Sequence, residues 1–339
     1  MSAETRTRPH RGPGGSVDPM AAEPSPRFES VQQVRDGLRD LDYLADDGIA
    51  GVAYLADRLG KPVLVEGPAG TGKTQLAKSI AELTGARLVR LQCYEGLVES
   101  KALFEWNYKK QLLRIQADRA SDSWSEIHDD IFSDEFLLTR PLLEAITADD
   151  PVVLLIDEVD RVEVETEALL LEILSDYQVS IPELGTIEAK QIPLVFLTSN
   201  NTRELSEALK RRCLYHWIDY PTSEREEDIV RTRLPDVPAT LAAKVVEAVH
   251  RLRGLELAKP PGVAETLDWV EALRTVGADD LNEHTFLDTL GSVVKDRDDL
   301  DVVEVLPPVQ HAAHLFFFRA TVVALEMLAE GVQIGRAHV

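Results

Sequence analysis

The chain is poor in cysteine: Cys93 and Cys213 are the only two in 339 residues. A disulfide-stapled scaffold is therefore excluded, and a reducing compartment fits. No apolar run approaches the roughly 20 residues that a bilayer-spanning helix needs. The N-terminus lacks the apolar stretch of about ten residues that marks a secretory leader. The expectation is a cytoplasmic protein with no membrane insertion. Positive charge is also in deficit, since 36 Lys+Arg against 59 Asp+Glu leave a net charge of −23. That balance counts against a nucleic-acid binder working by bulk phosphate neutralisation, although a local basic groove is compatible with it. The eight histidines show no metal-ligand spacing; His311 and His314 share one expected helix without an evident third ligand. What the chain does have is apolar residues, at 44%. That suffices for one large or two ordinary domains and rules out wholesale disorder.

Residues 1–28, rich in Pro, Gly, Arg and Ser, are expected to be a disordered tail. Ser30 is placed as an N-cap before Val31, Val34 and Leu38 at helical spacing. A second helix turns Ile49, Val52, Ala53 and Leu55 inward. Apolar strands then alternate with helices: Pro62–Val65, Arg87–Leu91, Val152–Ile156, Pro193–Thr198 and Leu214–Ile218. Nearly continuous apolar strands between helices predict an α/β fold, a parallel sheet covered on both faces. Leu170, Ile173, Leu174 and Tyr177 share one face of an intervening helix. Two stretches interrupt the pattern. Residues 94–140 hold Phe104, Trp106, Tyr108, Trp124 and Phe132, and are too long for a plain loop. In Gln178–Lys190, Val179, Ile181 and Ile187 flank Pro182–Gly185, which predicts a β-hairpin. After Pro221 strand signals fade, and helical patterns run through 223–233, 239–253, 263–274, 283–295 and 310–330. The division is a core at 29–221, an all-helical domain at 222–332, and a tail at 333–339 without functional weight. Phe316–Phe318 read as helical core, Asp296–Asp301 as a solvated face, and both cysteines as buried thiols.

The strongest chemical signal is Gly67-Pro68-Ala69-Gly70-Thr71-Gly72-Lys73-Thr74, which fits G-x-x-x-x-G-K-[ST] between an apolar strand and a helix. The fixed positions alone recur by chance in about one chain in a hundred of this length. Glycines let backbone N–H groups close around phosphate oxygens, and the helix points its positive end at the same anion. Lys73 reaches the β- and γ-phosphates, and the Thr74 hydroxyl ligates Mg²⁺. The second signal is Val152–Glu158, a buried strand ending in two carboxylates. Asp157 can hold the Mg²⁺ shell, leaving Glu158 to polarise an attacking water. The third is Thr198-Ser199-Asn200-Asn201, at a strand end on the same sheet edge, where an amide can orient that water; a plain N-capped turn is the competing reading. The fourth is Glu207–Cys213, where an Arg can stabilise γ-phosphate charge in the transition state. A basic helix end that merely complements its dipole competes with it.

In this order the residues resemble the AAA+ ATPases, over roughly residues 30–330. The hairpin at 178–190 is similar to the pre-sensor 1 insertion, and the aromatic stretch at 94–118 to the helix 2 insertion, of the MoxR branch. Gln92–Gly96, Glu105–Tyr108 and Pro261–Trp269 look like CoxD-type members, linked to maturation of molybdenum-containing carbon monoxide dehydrogenases and related hydroxylases. The resemblance implies a P-loop core followed by a helical lid, with ATP and Mg²⁺ as cofactors. Residues 67–74 and Asp157 would bind nucleotide and metal, and Glu158 would be the base. Asn200 matches sensor 1, with Asn201 as fallback, and Arg212 the arginine finger, with Arg211 as rival. It further implies a homo-hexamer, a protein client and a partner with a von Willebrand factor A domain. One departure is clear: where relatives carry a sensor 2 Arg, this chain has Glu265 and Thr266, and Arg274 is poorly placed to substitute.

Three rivals remain on sequence alone. A nucleic-acid motor uses the same core, against the acidic balance. A nucleotide-switched scaffold with little turnover suits the missing sensor 2 Arg, against the intact Glu158. A P-loop kinase leaves Asn200, Arg212 and the helical lid without purpose.

Overall fold

The computed structural model describes residues 26–117 and 130–304. Trp124, the expected helix 310–330 with its Phe and His residues, and the tail 333–339 lie outside the described residues.

Among the described residues there are nine strands: β1 Val63–Glu66, β2 Arg87–Gln92, β3 Phe104–Trp106, β4 Leu137–Thr139, β5 Val152–Asp157, β6 Gln178–Ile181, β7 Gly185–Glu188, β8 Leu194–Ser199 and β9 Leu214–Trp217. Five form one parallel sheet in the order β2-β5-β8-β1-β9. Period-2 alternation splits their side chains between two cores. Leu154, Ile156, Val195 and Leu197 meet the helices Pro141–Thr147 and Val164–Asp176 on one face. Val153, Leu155, Leu194 and Phe196 meet Val31–Asp40, Asp47–Leu59 and Lys73–Thr84 on the other. Each such side chain contributes about 1.5–3 kcal/mol by burial, which is why β5 and β8 are apolar along almost their whole length. Because the sheet is parallel, β1, β5, β8 and β9 deliver their C-terminal ends to one edge.

Ser30 caps the first helix as expected, accepting from the Gln33 N–H. Order begins earlier than composition suggests. Arg27 pairs with Asp57 at 3.0 Å and Phe28 is buried, so the tail expected through residue 28 is shorter. Leu55, expected to point inward, is 46% exposed; Ile49, Ala53 and Ala56 form the buried stripe of that helix.

The long connection folds on itself. β3 pairs antiparallel with β4, and Trp106 packs edge-on against Phe132 with centroids 5.1 Å apart. The intervening helix Tyr108–Ala117 leaves Tyr108, Leu112 and Leu113 exposed. β6 and β7 form the hairpin, turning through Glu183 at φ 72° and Gly185 at φ 83°.

Beyond Pro221 the described residues contain only helices: Ser223–Arg233, Ala239–Arg253, Val263–Thr275, Glu283–Thr289 and Arg297–Glu304, with a short 3-10 turn at Leu290–Ser292. Val245, Val246, Val249, Trp269 and Leu273 form their core. The helix expected over 283–295 gives way after Thr289, just ahead of Gly291, a poor helix former. Asp299, read as part of a solvated run, is buried and accepts the backbone N–H groups of Ala258 and Lys259. Among the described residues no helix is long and apolar enough to cross a membrane.

Candidate functional site

The phosphate loop leaves β1 through backbone that only glycine adopts freely. Gly67, Gly70 and Gly72 have φ of 150°, 73° and 88°. A Cβ at Gly67 would lie 1.9 Å from the Ile218 carbonyl oxygen. Gly72 precedes the helix Lys73–Thr84, whose first-turn N–H groups face the loop. The Lys73 ammonium donates to the carbonyls of Gly67 at 2.9 Å and Pro68 at 2.6 Å. Burial lowers its pKa to about 8, opposed by the nearby charges of Asp160, Asp157 and Glu158. The protonated form is the one that grips phosphate, so affinity weakens as pH rises through that value. ATP affinity is expected to fall about fivefold between pH 8 and pH 9, following the protonated fraction of Lys73. Titration of a fluorescent nucleotide across this range checks it; a flat profile removes Lys73 as the titrating group.

The two carboxylates at the end of β5 sit in unlike surroundings. Asp157 is 2% exposed. Its Oδ1 accepts from Thr74 Oγ1 at 2.9 Å and from Thr198 Oγ1, while its Oδ2 accepts from Arg90. Glu158 follows at φ 57°, an unusual conformation for a residue with a side chain. Its N–H donates to Thr198 Oγ1 at 2.9 Å. One threonine hydroxyl thus bridges the two residues and sets the turn. The Glu158 carboxylate is half-open, taking Gln92 Nε2 at 3.1 Å and Arg161 Nε at 3.0 Å. The Thr74 hydroxyl and Asp157 carboxylate supply hard oxygen donors on one spot beside the loop. A small divalent cation that completes its shell with phosphate and water fits such a donor set.

At the end of β8, Ser199 donates to Glu66 Oε1 at 3.0 Å and accepts the Asn201 N–H at 3.0 Å. That turn, with Asn201 at φ 56° and exposed, leaves Asn200 to line the cleft. The cleft has a volume of about 750 Å³ and runs from the phosphate loop to the helical domain. Its lining includes the apolar side chains of Ile49, Val263 and Leu267 and the rings of Tyr43 and His216, which suit a planar base. Arg211 and Arg212 do not line it. Arg212 ends the helix Glu207–Arg212 at the surface, with Nε on Ser175 Oγ and Nη1 on the Ala208 carbonyl.

The helical domain touches the loop through backbone. A Cβ at Gly262 would stand 2.6 Å from Ala69 O and Gly70 Cα, and the Ala264 N–H donates to Gly70 O at 3.2 Å. Glu265 caps its own helix by accepting the Gly262 N–H at 2.9 Å. Thr266 is buried against Glu226, and Arg274 pairs with Glu271 on the surface. Arg225 and Arg233 do line the cleft, and the sequence reading passed them over. It also missed Arg90. The alternation along β2, with Leu91 buried between exposed Arg90 and Gln92, was the available signal. Burial pushes the Cys93 and Cys213 thiols up to about 12, which leaves both unreactive at neutral pH.

Residues 62–213 match the model of the AAA domain (dynein-related subfamily). Over 215 residues it is 26% identical to the denitrification regulatory protein NirQ of Stutzerimonas stutzeri, covering 61% of this chain and 69% of that one. The RuvB Holliday junction branch migration motor of Thermotoga maritima superposes with a TM-score of 0.41 at 21% identity, covering 76% of this chain and 68% of that one. A single-site variant of the same protein gives 0.43 at 22%, covering 79% and 73%.

Proposed function

We propose that this AAA domain binds and hydrolyses ATP with Mg²⁺. The observation that carries the reading is the convergence of Lys73, Thr74, Asp157 and Glu158 on one sheet edge, linked by hydrogen bonds from Thr74 and Thr198. The loop N–H groups and Lys73 would hold the β- and γ-phosphates. Thr74 and Asp157 would hold Mg²⁺, which supplies charge neutralisation at the phosphates when bound. Glu158, released from Gln92 and Arg161, takes a proton from a water that Asn200 orients. Arg212 from a neighbouring copy completes the site, since its own cleft does not contain it. That requirement supports a ring, and the resemblance favours a hexamer.

The wider role is that of a chaperone-like remodeller. Its inserts at 94–118 and 178–190 would pass lid motion to a protein client, beside a von Willebrand factor A partner. The motifs shared with CoxD-type proteins favour a molybdenum-containing hydroxylase or carbon monoxide dehydrogenase as client. Likeness to a denitrification regulatory protein supports a regulatory setting more broadly.

Glu158→Gln is expected to lower ATP turnover about a hundredfold or more with nucleotide affinity kept, as loss of a general base does. Unchanged turnover would remove Glu158 as the base. The same variant held in ATP, compared with Lys73→Ala in affinity capture from native extract, tests the client. Enrichment of a von Willebrand factor A protein or a molybdenum hydroxylase only with Glu158→Gln supports the maturation role; nucleic acid or replication proteins would overturn it.

A further inference from the structure

Asp157 already has a cation. Arg90 gives it two bonds, Nε at 3.1 Å and Nη2 at 2.6 Å, both to Oδ2. The carboxylate is 3% exposed and the Arg90 side chain 46% exposed, so the guanidinium reaches in from solvent. It comes from β2, at one end of the strand order, where the register sets Arg90 level with Leu155 and Gln92 level with Asp157. The same guanidinium bonds Gln92 Oε1, and Gln92 Nε2 holds Glu158. Lys73, the nearby ammonium, gives its bonds to the carbonyls of Gly67 and Pro68 instead.

A buried carboxylate facing a phosphate site is a liability when no metal is there, because it repels the polyanion. We propose that Arg90 is a positioning residue that acts as a resident counter-cation. It neutralises Asp157 in the absence of Mg²⁺ and thereby sets how strongly nucleotide binding depends on the metal. This rests on reading the cleft as a Mg²⁺–ATP site. With the Arg90 charge removed, metal-free nucleotide meets an uncompensated carboxylate, whereas Mg²⁺ restores the balance. The guanidinium is half-exposed, so solvent screens it and the expected effect is modest.

The test is the affinity of the full chain for a fluorescent non-hydrolysable ATP analogue, in Mg²⁺ and in EDTA. Arg90→Gln is expected to raise the ratio of the dissociation constant in EDTA to that in Mg²⁺ about tenfold, mostly through weaker binding in EDTA. Arg90→Lys keeps the charge but not the paired N–H groups, and should raise the ratio less than Arg90→Gln does. In an Asp157→Asn background, Arg90→Gln should no longer move it. An unchanged ratio would overturn the proposal, as would equal losses in both buffers, which would place Arg90 on the nucleotide itself. An effect that persists with Asp157→Asn would do the same. No nucleotide binding by the unaltered chain in either buffer would overturn the cleft reading and this proposal with it.

Discussion

Arg212→Ala is expected to cut ATP turnover about a thousandfold or more while nucleotide affinity stays within about twofold. The argument is one of place. In the proposed site the nucleotide contacts come from the cleft, which Arg212 does not line. Its guanidinium lies at the surface, bonded to Ser175 Oγ and to the carbonyl of Ala208 in its own helix. Such a surface position is where the proposed role in a neighbouring copy would need it. A cation meeting charge that builds on the transferred phosphoryl group acts on the transition state and leaves ground-state binding alone. Subunit mixing makes the test sharp. Arg212→Ala and Lys73→Ala should each be inactive, but mixed rings contain interfaces with an intact cleft on one side and an intact Arg212 on the other. Recovery of turnover on mixing is the expected outcome. Failure to recover in mixed rings, or full turnover in Arg212→Ala alone at saturating protein, would remove the finger in trans. Loss confined to Arg211→Ala would give the role to its neighbour.

Glu226→Ala is expected to destabilise the helical domain by about 3–5 kcal/mol. The Glu226 side chain is fully buried on the first helix after Pro221. It accepts Arg253 Nη1 at 2.6 Å and Nη2 at 2.8 Å, His250 Nε2 at 2.9 Å, and the Thr266 hydroxyl. Arg253 in turn donates from Nε to Pro261 O at 2.7 Å and lies over the Tyr220 ring at 4.5 Å. One carboxylate therefore ties three helices together and fixes the approach to Gly262. Its removal strands a guanidinium that is 8% exposed. Denaturant unfolding followed by the fluorescence of buried Trp269 measures the loss. Glu226→Ala paired with Arg253→Met should recover much of it, because an apolar pair carries no desolvation cost. A midpoint that does not move in the single variant would show that the network adds nothing net.

The core strands were legible because a strand buried on both faces is written as an unbroken apolar run, visible at Val152–Ile156 and Pro193–Thr198. The phosphate loop was legible for a different reason: its chemistry is local in sequence, with all its groups within eight positions. What stayed hidden depends on which strands become neighbours. Arg90 meets Asp157 across 67 positions, and Gln92 meets Glu158 across 66, only because β2 pairs with β5. Arg225 and Arg233 reach the cleft from a separate helical domain. Arg27 and Phe28 stand beside a Pro-rich stretch, and nothing local announces their anchorage on Asp57. Asp299 looked solvated because it sits among like charges; its burial depends on two backbone donors some forty residues earlier.

The exit from β9 has a mechanical consequence. The Ile218 N–H donates to Glu66 O at 2.8 Å, so this last rung of the sheet lies alongside the point where the phosphate loop begins. A Cβ at Gly67 would strike the Ile218 carbonyl, and Thr222 already caps the first helix beyond Pro221. The connection into the helical domain thus runs directly against the start of the loop. The helical domain meets the loop a second time further along, where the Ala264 N–H donates to Gly70 O at 3.2 Å. A shift of the loop at either place therefore meets backbone of the helical domain or of its connection, so the loop and the helices are fitted to one another at two separate points.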